Sequence, residues 1–208
     1  MIISMSDILC VTNRKLCRDD FLSRIEEIVE CSPSAIILRE KDLSEFEYEE
    51  LAVQVMNICR KYNIPCILHS FVKTAIKLGA DKIHLPLSIL RNMTDDEKRY
   101  FKEIGASCHS VDDAIEAKKL GCTYISAGHI FATDCKKDLP PRGLEFLEEV
   151  CSSVSAPVYA IGGIDSDNIN SVLNAGAKGV CIMSGLMCCN NAEGYIQQLR
   201  KAGIRNDV

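Results

Sequence analysis

One short unit recurs along this 208-residue chain. Lys77 to Leu85 (KLGADKIHL), Lys119 to Ala127 (KLGCTYISA) and Asn174 to Met183 (NAGAKGVCIM) can be laid over one another. Each reads as the end of a helix, a glycine in the left-handed position just beyond it (Gly79, Gly121, Gly176), and a β-rich run two or three residues later. Helix and strand therefore alternate. Short apolar runs place strands at Ile8 to Thr12, Ala35 to Arg39, Pro65 to His69, Lys82 to Leu85, Gly105 to Cys108, Tyr124 to Ala127, Val158 to Ile161 and Gly179 to Met183. Helical patterns lie between them at Asp20 to Glu30, Tyr48 to Tyr62, Val111 to Leu120, Leu144 to Cys151 and Asp167 to Asn174, with Asp19, Ser110 and Ser166 as expected N-caps. Eight such strands, too short and too apolar to alternate cleanly, are what a closed parallel barrel inside a ring of helices requires. The expected fold is a single-domain (β/α)8 TIM barrel over residues 1–208. An open doubly wound sheet is the alternative, but it calls for a glycine-rich turn after the first strand, where this chain has Asn13-Arg14-Lys15.

Composition narrows the function. The 24 basic residues are outnumbered by 29 acidic ones, a net charge of −5, which is the wrong sign for gripping phosphate backbones. With no Trp and 6% aromatic residues, stacking platforms for single strands are lacking too, so no nucleic-acid partner is expected. The 12 cysteines are scattered through apolar runs (Cys10, Cys59, Cys66, Cys181) with no C-x-x-C pair, and read as reduced core thiols of a cytoplasmic protein. The four histidines are far apart in sequence, and no metal site is expected. Met1 to Val11 is apolar without a preceding basic region, and no apolar run approaches a membrane span, so no membrane partner is expected. Homo-oligomerisation stays open.

In such a barrel the chemistry sits on the loops at the C-terminal ends of the strands. After the seventh strand comes Gly162-Gly163-Ile164-Asp165, and after the eighth Ser184-Gly185. Glycines let a backbone approach an anion, and these two loops often hold a phosphate in barrels, so Gly162, Gly163, Ser184 and Gly185 are candidate phosphate ligands rather than mere turn formers. At the end of the second strand Arg39 and Lys41 share one parity at the mouth. Arg39 suits a carboxylate or phosphate, whereas Lys41 is better read as a solvated rim charge. Lys136 and Lys137 add charge after the sixth strand, one of them only as a surface lysine. His129 follows Gly128 in that loop, where an imidazole overhanging the mouth could take and give a proton near neutral pH. His109 and His69, also at strand ends, are secondary candidates for lining the pocket. His84 reads as a packed core residue, and Cys135 as a bystander beside Lys136. Phosphate cradle, cations and movable proton together suggest acid–base chemistry on a small phosphorylated anion.

Taken together, LREK at Leu38 to Lys41, GASCHS at Gly105 to Ser110, GHIFATDCKK at Gly128 to Lys137 and AIGGI at Ala160 to Ile164 resemble the thiamine phosphate synthase/TenI superfamily over nearly the whole chain. GHIF followed by TDCKK looks like the TenI branch. Synthases usually carry Gly-Pro at Gly128-His129, Asn-Asp at His69-Ser70, and a further Asp where this chain has Pro86 to Ile89. Those carboxylates hold magnesium on a pyrophosphate, and their replacement removes the oxygen ligands such a cation wants. Ile37 stands where synthases commonly have Gln. The resemblance thus implies a thiazole tautomerase: an isomerase needing no cofactor, which aromatises a thiazole carboxylate phosphate by moving a proton from ring to exocyclic carbon. It implies His129 as acid–base group, Gly162, Gly163, Ser184 and Gly185 on the phosphate, and Arg39 and Lys136 on the carboxylate, while His69 departs from the family's usual pattern. A thiamine phosphate synthase, joining a pyrimidine pyrophosphate to the thiazole phosphate, and a noncatalytic binding or regulatory protein are the alternatives.

Overall fold

A computed structural model describes residues 7–137 and 139–203; the first six residues of the apolar N-terminal stretch lie outside them. Eight parallel strands run in sequence order and close on themselves: β1 (Asp7–Val11), β2 (Ala35–Leu38), β3 (Cys66–His69), β4 (Lys82–Pro86), β5 (Glu103–Cys108), β6 (Tyr124–Gly128), β7 (Val158–Ile161) and β8 (Gly179–Ile182), with β8 pairing back onto β1. The chain is a (β/α)8 barrel, as its repeating unit implied. Each expected strand is present, with its ends moved by at most two residues. Gly79, Gly121 and Gly176 take φ of 72°, 97° and 97°, the left-handed conformation that ends each helix before its strand.

The helices are α1 (Phe21–Glu30), α2 (Glu45–Lys61), α3 (Val72–Lys77), α4 (Leu87–Leu90), α5 (Asp95–Tyr100), α6 (Val111–Lys119), α7 (Gly143–Ser153), α8 (Ile169–Asn174), α9 (Ser184–Cys188) and α10 (Ala192–Ala202). None is long and apolar enough to cross a membrane. Helix α2 starts three residues before the expected Tyr48 because Ser44 and Glu47 form a reciprocal capping box. Two expected caps are corrected. Asp20, not Asp19, accepts the Ser23 amide at 2.9 Å. Ser166 is not the cap of α8: that helix begins after Asn168, whose side chain instead donates to the Gly163 carbonyl at 2.8 Å and so ties down the loop after β7.

Both strand faces are buried, which is why the runs read as continuously apolar. Outward residues such as Ile36, Leu38, Ile83, Ile125 and Val180 pack under the helices. Inward residues, Leu9, Val11, Ile37, Ile67, Tyr124 and Cys181, form a separate cluster with Tyr159 and Ile161 against it. Tyr159 hydroxyl donates to the Asp7 carboxylate at 3.1 Å at the strands' N-terminal end, so the lower half of the barrel is filled. Pairing Leu38 with Leu68, and His69 with His84, brings the upper ends of β2, β3 and β4 level with one another.

Candidate active site

A cavity of about 1020 Å³ opens at the C-terminal ends of the strands. Arg39, His69, His109, His129, Lys136, Gly162, Gly163, Ser184 and Gly185, all singled out from sequence, line it. Lys41, expected as a solvated rim charge, is exposed and borders the cavity as well. Lys137 also borders the cavity, but its ammonium pairs with Asp134 at 3.3 Å on the surface.

The cations owe their freedom to a buried carboxylate facing the other way. Glu40, 2% exposed, accepts from the Thr12 hydroxyl at 2.6 Å and from the Arg14 backbone and guanidinium at 3.1 and 3.2 Å. Its charge is thereby spent toward β1. Thr12 in turn accepts the Arg39 amide at 2.9 Å, which fixes the Arg39 backbone. Among the described residues no carboxylate lies within ion-pairing distance of Arg39, Lys41 or Lys136. Burial and mutual repulsion push the Lys41 and Lys136 ammonium groups below their ordinary values, and burial does the same to the Arg39 guanidinium. A cluster of partly desolvated cations without counter-ions is an anion site.

His129 lies at the end of β6, across a cis peptide from Gly128, and is 5% exposed. Its Nε2–H donates to the Leu139 carbonyl at 3.3 Å, which leaves Nδ1 as the ring's lone-pair nitrogen, buried and without a hydrogen-bond partner among the described residues. The backbone around it is stitched to the neighbouring loop: Ile130 and Phe131 amides donate to the Ile161 and Gly162 carbonyls, both at 3.0 Å. Gly162 (φ 102°) and Gly163 (φ 67°) sit directly against this segment. His109, more exposed at the mouth, donates from Nδ1 to the Gly128 carbonyl at 2.7 Å.

The floor holds residues the sequence reading missed. His84 is buried, as expected of a core residue, yet it also faces the cavity. Its Nδ1 meets the Tyr124 hydroxyl at 3.0 Å, and its Nε2 meets Ser107 and Ser126 hydroxyls at 2.9 and 3.2 Å. His69 stacks beside it, ring centroids 5.8 Å apart and planes 18° apart, with its Nδ1 on the Ser70 hydroxyl at 2.7 Å. Burial pushes His69 down to about 2 and His84 down to about 3, helped by the nearby Arg39 charge.

Both imidazoles are therefore neutral in the folded chain and must stay so on acidification, whereas the unfolded chain protonates them near pH 6.5. Their contribution to stability is complete above that pH and is lost as pH falls toward the folded values. The melting temperature followed by circular dichroism should drop between pH 7 and pH 5, before carboxylates titrate, by up to about 2 kcal/mol of stability per imidazole at pH 5. His84→Gln should flatten that slope; an unchanged slope would mean that His84 is not held neutral.

The residues present do not fit a divalent cation. Among the described residues no group of three or more His, Cys, Asp or Glu is placed to share an ion. The cavity carboxylates are on the loops after β6 and β7, where Asp134 meets Lys137 and Asp165 accepts the Asp167 amide.

Comparison with known proteins gives a consistent picture. The family model described as thiamine monophosphate synthase (TMP-TENI) matches residues 8–186. The chain is 34% identical over 183 residues to the thiamine-phosphate synthase of Clostridium acetobutylicum, covering 85% of each chain. It is 32% identical over 213 residues to that of Syntrophomonas wolfei, covering 99% of this chain and all of the other. Among solved structures it resembles the thiamine phosphate pyrophosphorylase from Pyrococcus furiosus, with TM-score 0.81, 29% identity and 94% of both chains covered. A 3-hexulose-6-phosphate synthase, 15% identical with TM-score 0.70, shares the fold.

Proposed function

From the premise that this chain belongs to the thiamine monophosphate synthase family, TMP-TENI, we propose that it is an enzyme of thiamine biosynthesis acting as a thiazole tautomerase. The observation that carries this reading is His129, a buried imidazole lining the cavity, with Nε2 held by the Leu139 carbonyl and Nδ1 buried without a hydrogen-bond partner among the described residues. Gly162, Gly163, Ser184 and Gly185 hold the substrate's phosphate; Arg39 and Lys136 face its ring carboxylate. His129 removes the proton from the ring carbon that bears the carboxylate. The released electron pair shifts through the ring, the exocyclic carbon takes the proton back, and an aromatic thiazole results with no net gain or loss of atoms. Aromaticity supplies the driving force, and the enzyme lowers the barrier by holding both carbons within reach of one acid–base group.

The names of the curated relatives favour a second reading over this one. Proteins 30 to 34% identical to the chain are named thiamine-phosphate synthase, which would make it a transferase joining a pyrimidine pyrophosphate to the thiazole phosphate. Against that reading stands the donor set: a pyrophosphate leaving group builds charge that a hard cation normally offsets, and His69-Ser70 and Pro86 to Ile89 offer it no carboxylate. The two readings separate in one pair of assays. A tautomerase aromatises the thiazole carboxylate phosphate, followed by ultraviolet absorbance, at an undiminished rate in excess chelator. Coupling of pyrimidine pyrophosphate and thiazole phosphate only with magnesium, without aromatisation, would make the chain a synthase. Binding of the thiazole phosphate with neither activity would make it a regulator.

A further inference from the structure

The two ends of the cavity differ in what they can hold. In the closed order of eight strands, β3 lies diametrically opposite β7. The glycine loops that would take a phosphate follow β7 and β8, so a thiazole anchored there by its ethyl phosphate would extend across the mouth toward β3 and β4, next to which Arg39 enters the cavity from the end of β2. Its carboxylate, on the far side of the ring, would then come to the strand ends where Arg39 and His69 line the cavity. These two residues stand side by side because Leu38 pairs with Leu68 immediately below them.

His69 is built to present one atom to that position. Its backbone amide donates to the Tyr48 hydroxyl at 2.8 Å, and its Nδ1 is occupied by Ser70. Beside it, His84 has both nitrogens engaged and its ring stacks on that of His69. His69 Nε2 has no protein partner and is not among the buried unpartnered atoms of the described residues, so it opens on the cavity. The charged and titratable groups acting on the ring are Arg39 and Lys41 from β2 and its loop and His84 from β4. None of them is an acid. An imidazole there is a neutral N–H donor beside a guanidinium, an arrangement suited to a planar anion received without a bridging cation.

We propose that His69 is a specificity-determining residue that donates from Nε2 to the substrate's ring carboxylate, completing with Arg39 a metal-free carboxylate subsite. This deepens the tautomerase reading and rests on it. The test measures, by isothermal titration calorimetry in chelator, binding of the aromatic thiazole carboxylate phosphate and of the same thiazole phosphate lacking the carboxylate. The parent should prefer the carboxylated ligand. His69→Leu should cut that preference about tenfold or more, the worth of a hydrogen bond to a charged group, while affinity for the decarboxylated ligand stays within about twofold. His69→Gln, which keeps an N–H at similar reach, should retain most of the preference. Should the leucine variant fail to fold, His69→Asn, whose shorter amide does not reach, serves in its place. An unchanged preference, or equal weakening of both ligands, would overturn the assignment. Failure of the tautomerase reading would show separately, as absent turnover with the preference still sensitive to His69.

Discussion

His129→Asn should slow thiazole aromatisation by about 10²- to 10⁴-fold, the usual contribution of a positioned acid–base group, and leave binding of the aromatic product near the parental value. The substitution suits the site. Asparagine is smaller than the imidazole and enters without overpacking, although its shorter amide gives up the hydrogen bond that Nε2 makes to the Leu139 carbonyl. What it lacks is a nitrogen lone pair that can be protonated and released near neutral pH. The expected pattern is therefore a fall in kcat with KM nearly constant, read by ultraviolet absorbance, alongside an unchanged dissociation constant for product. Because the ring is 5% exposed, a melting curve must accompany the kinetics to show that the variant is folded. A variant retaining full rate would move proton transfer to another group. His109 would be the next to test, since its Nδ1 is committed to the Gly128 carbonyl and its Nε2 is not.

The largest stability effect is expected at Gly162. Its φ of 102° is one that side-chain-bearing residues rarely adopt, and a Cβ there would lie 2.3 Å from the Cβ of His129 and 2.8 Å from its Cα. Neither neighbour is the far end of a flexible side chain, so relief requires moving the backbone that carries the proposed acid–base group. Gly162→Ala should cost about 2–4 kcal/mol, summing a left-handed backbone and overpacking. That lowers the melting temperature by several degrees in a chain of this size. Activity should be lost as well, because the same shift displaces His129. Gly121→Ala is the control: its φ is 97° but a Cβ there meets nothing within 4 Å, so only the backbone cost of about 1 kcal/mol remains. Equal losses in the two variants would show that the loops after β6 and β7 are not in hard contact.

Much of this architecture is written locally. A glycine past a helix followed by a β-rich run is a short-range signal, and it marks β4, β6 and β8, while the other strands are legible as short apolar runs; the S-x-x-E that starts α2 is equally local. Helix α10 was missed because the passage after the eighth strand was read only for its glycines, although Ile196 and Leu199 mark a buried face. The rim of the cavity was legible because strand ends name their own mouth residues. The floor was not. Ser107, Ser126 and His84 sit two positions below inspected mouth residues, His109, Gly128 and Pro86, and the period-two alternation of a strand points inward to them once the ends are known. What no local pattern could disclose is why Arg39 is unpaired. Its adjacent acid, Glu40, is engaged by Thr12 and Arg14, more than twenty residues away in sequence.

The packed lower half of the barrel has a consequence for kinetics. With Leu9, Val11, Tyr124 and Cys181 plugging the interior and Tyr159 bonded to Asp7 beneath them, traffic must use a single doorway. Whatever the enzyme releases departs by the route its next reactant needs, so reactant and product exclude each other, and accumulated product holds the reaction back by simple competition.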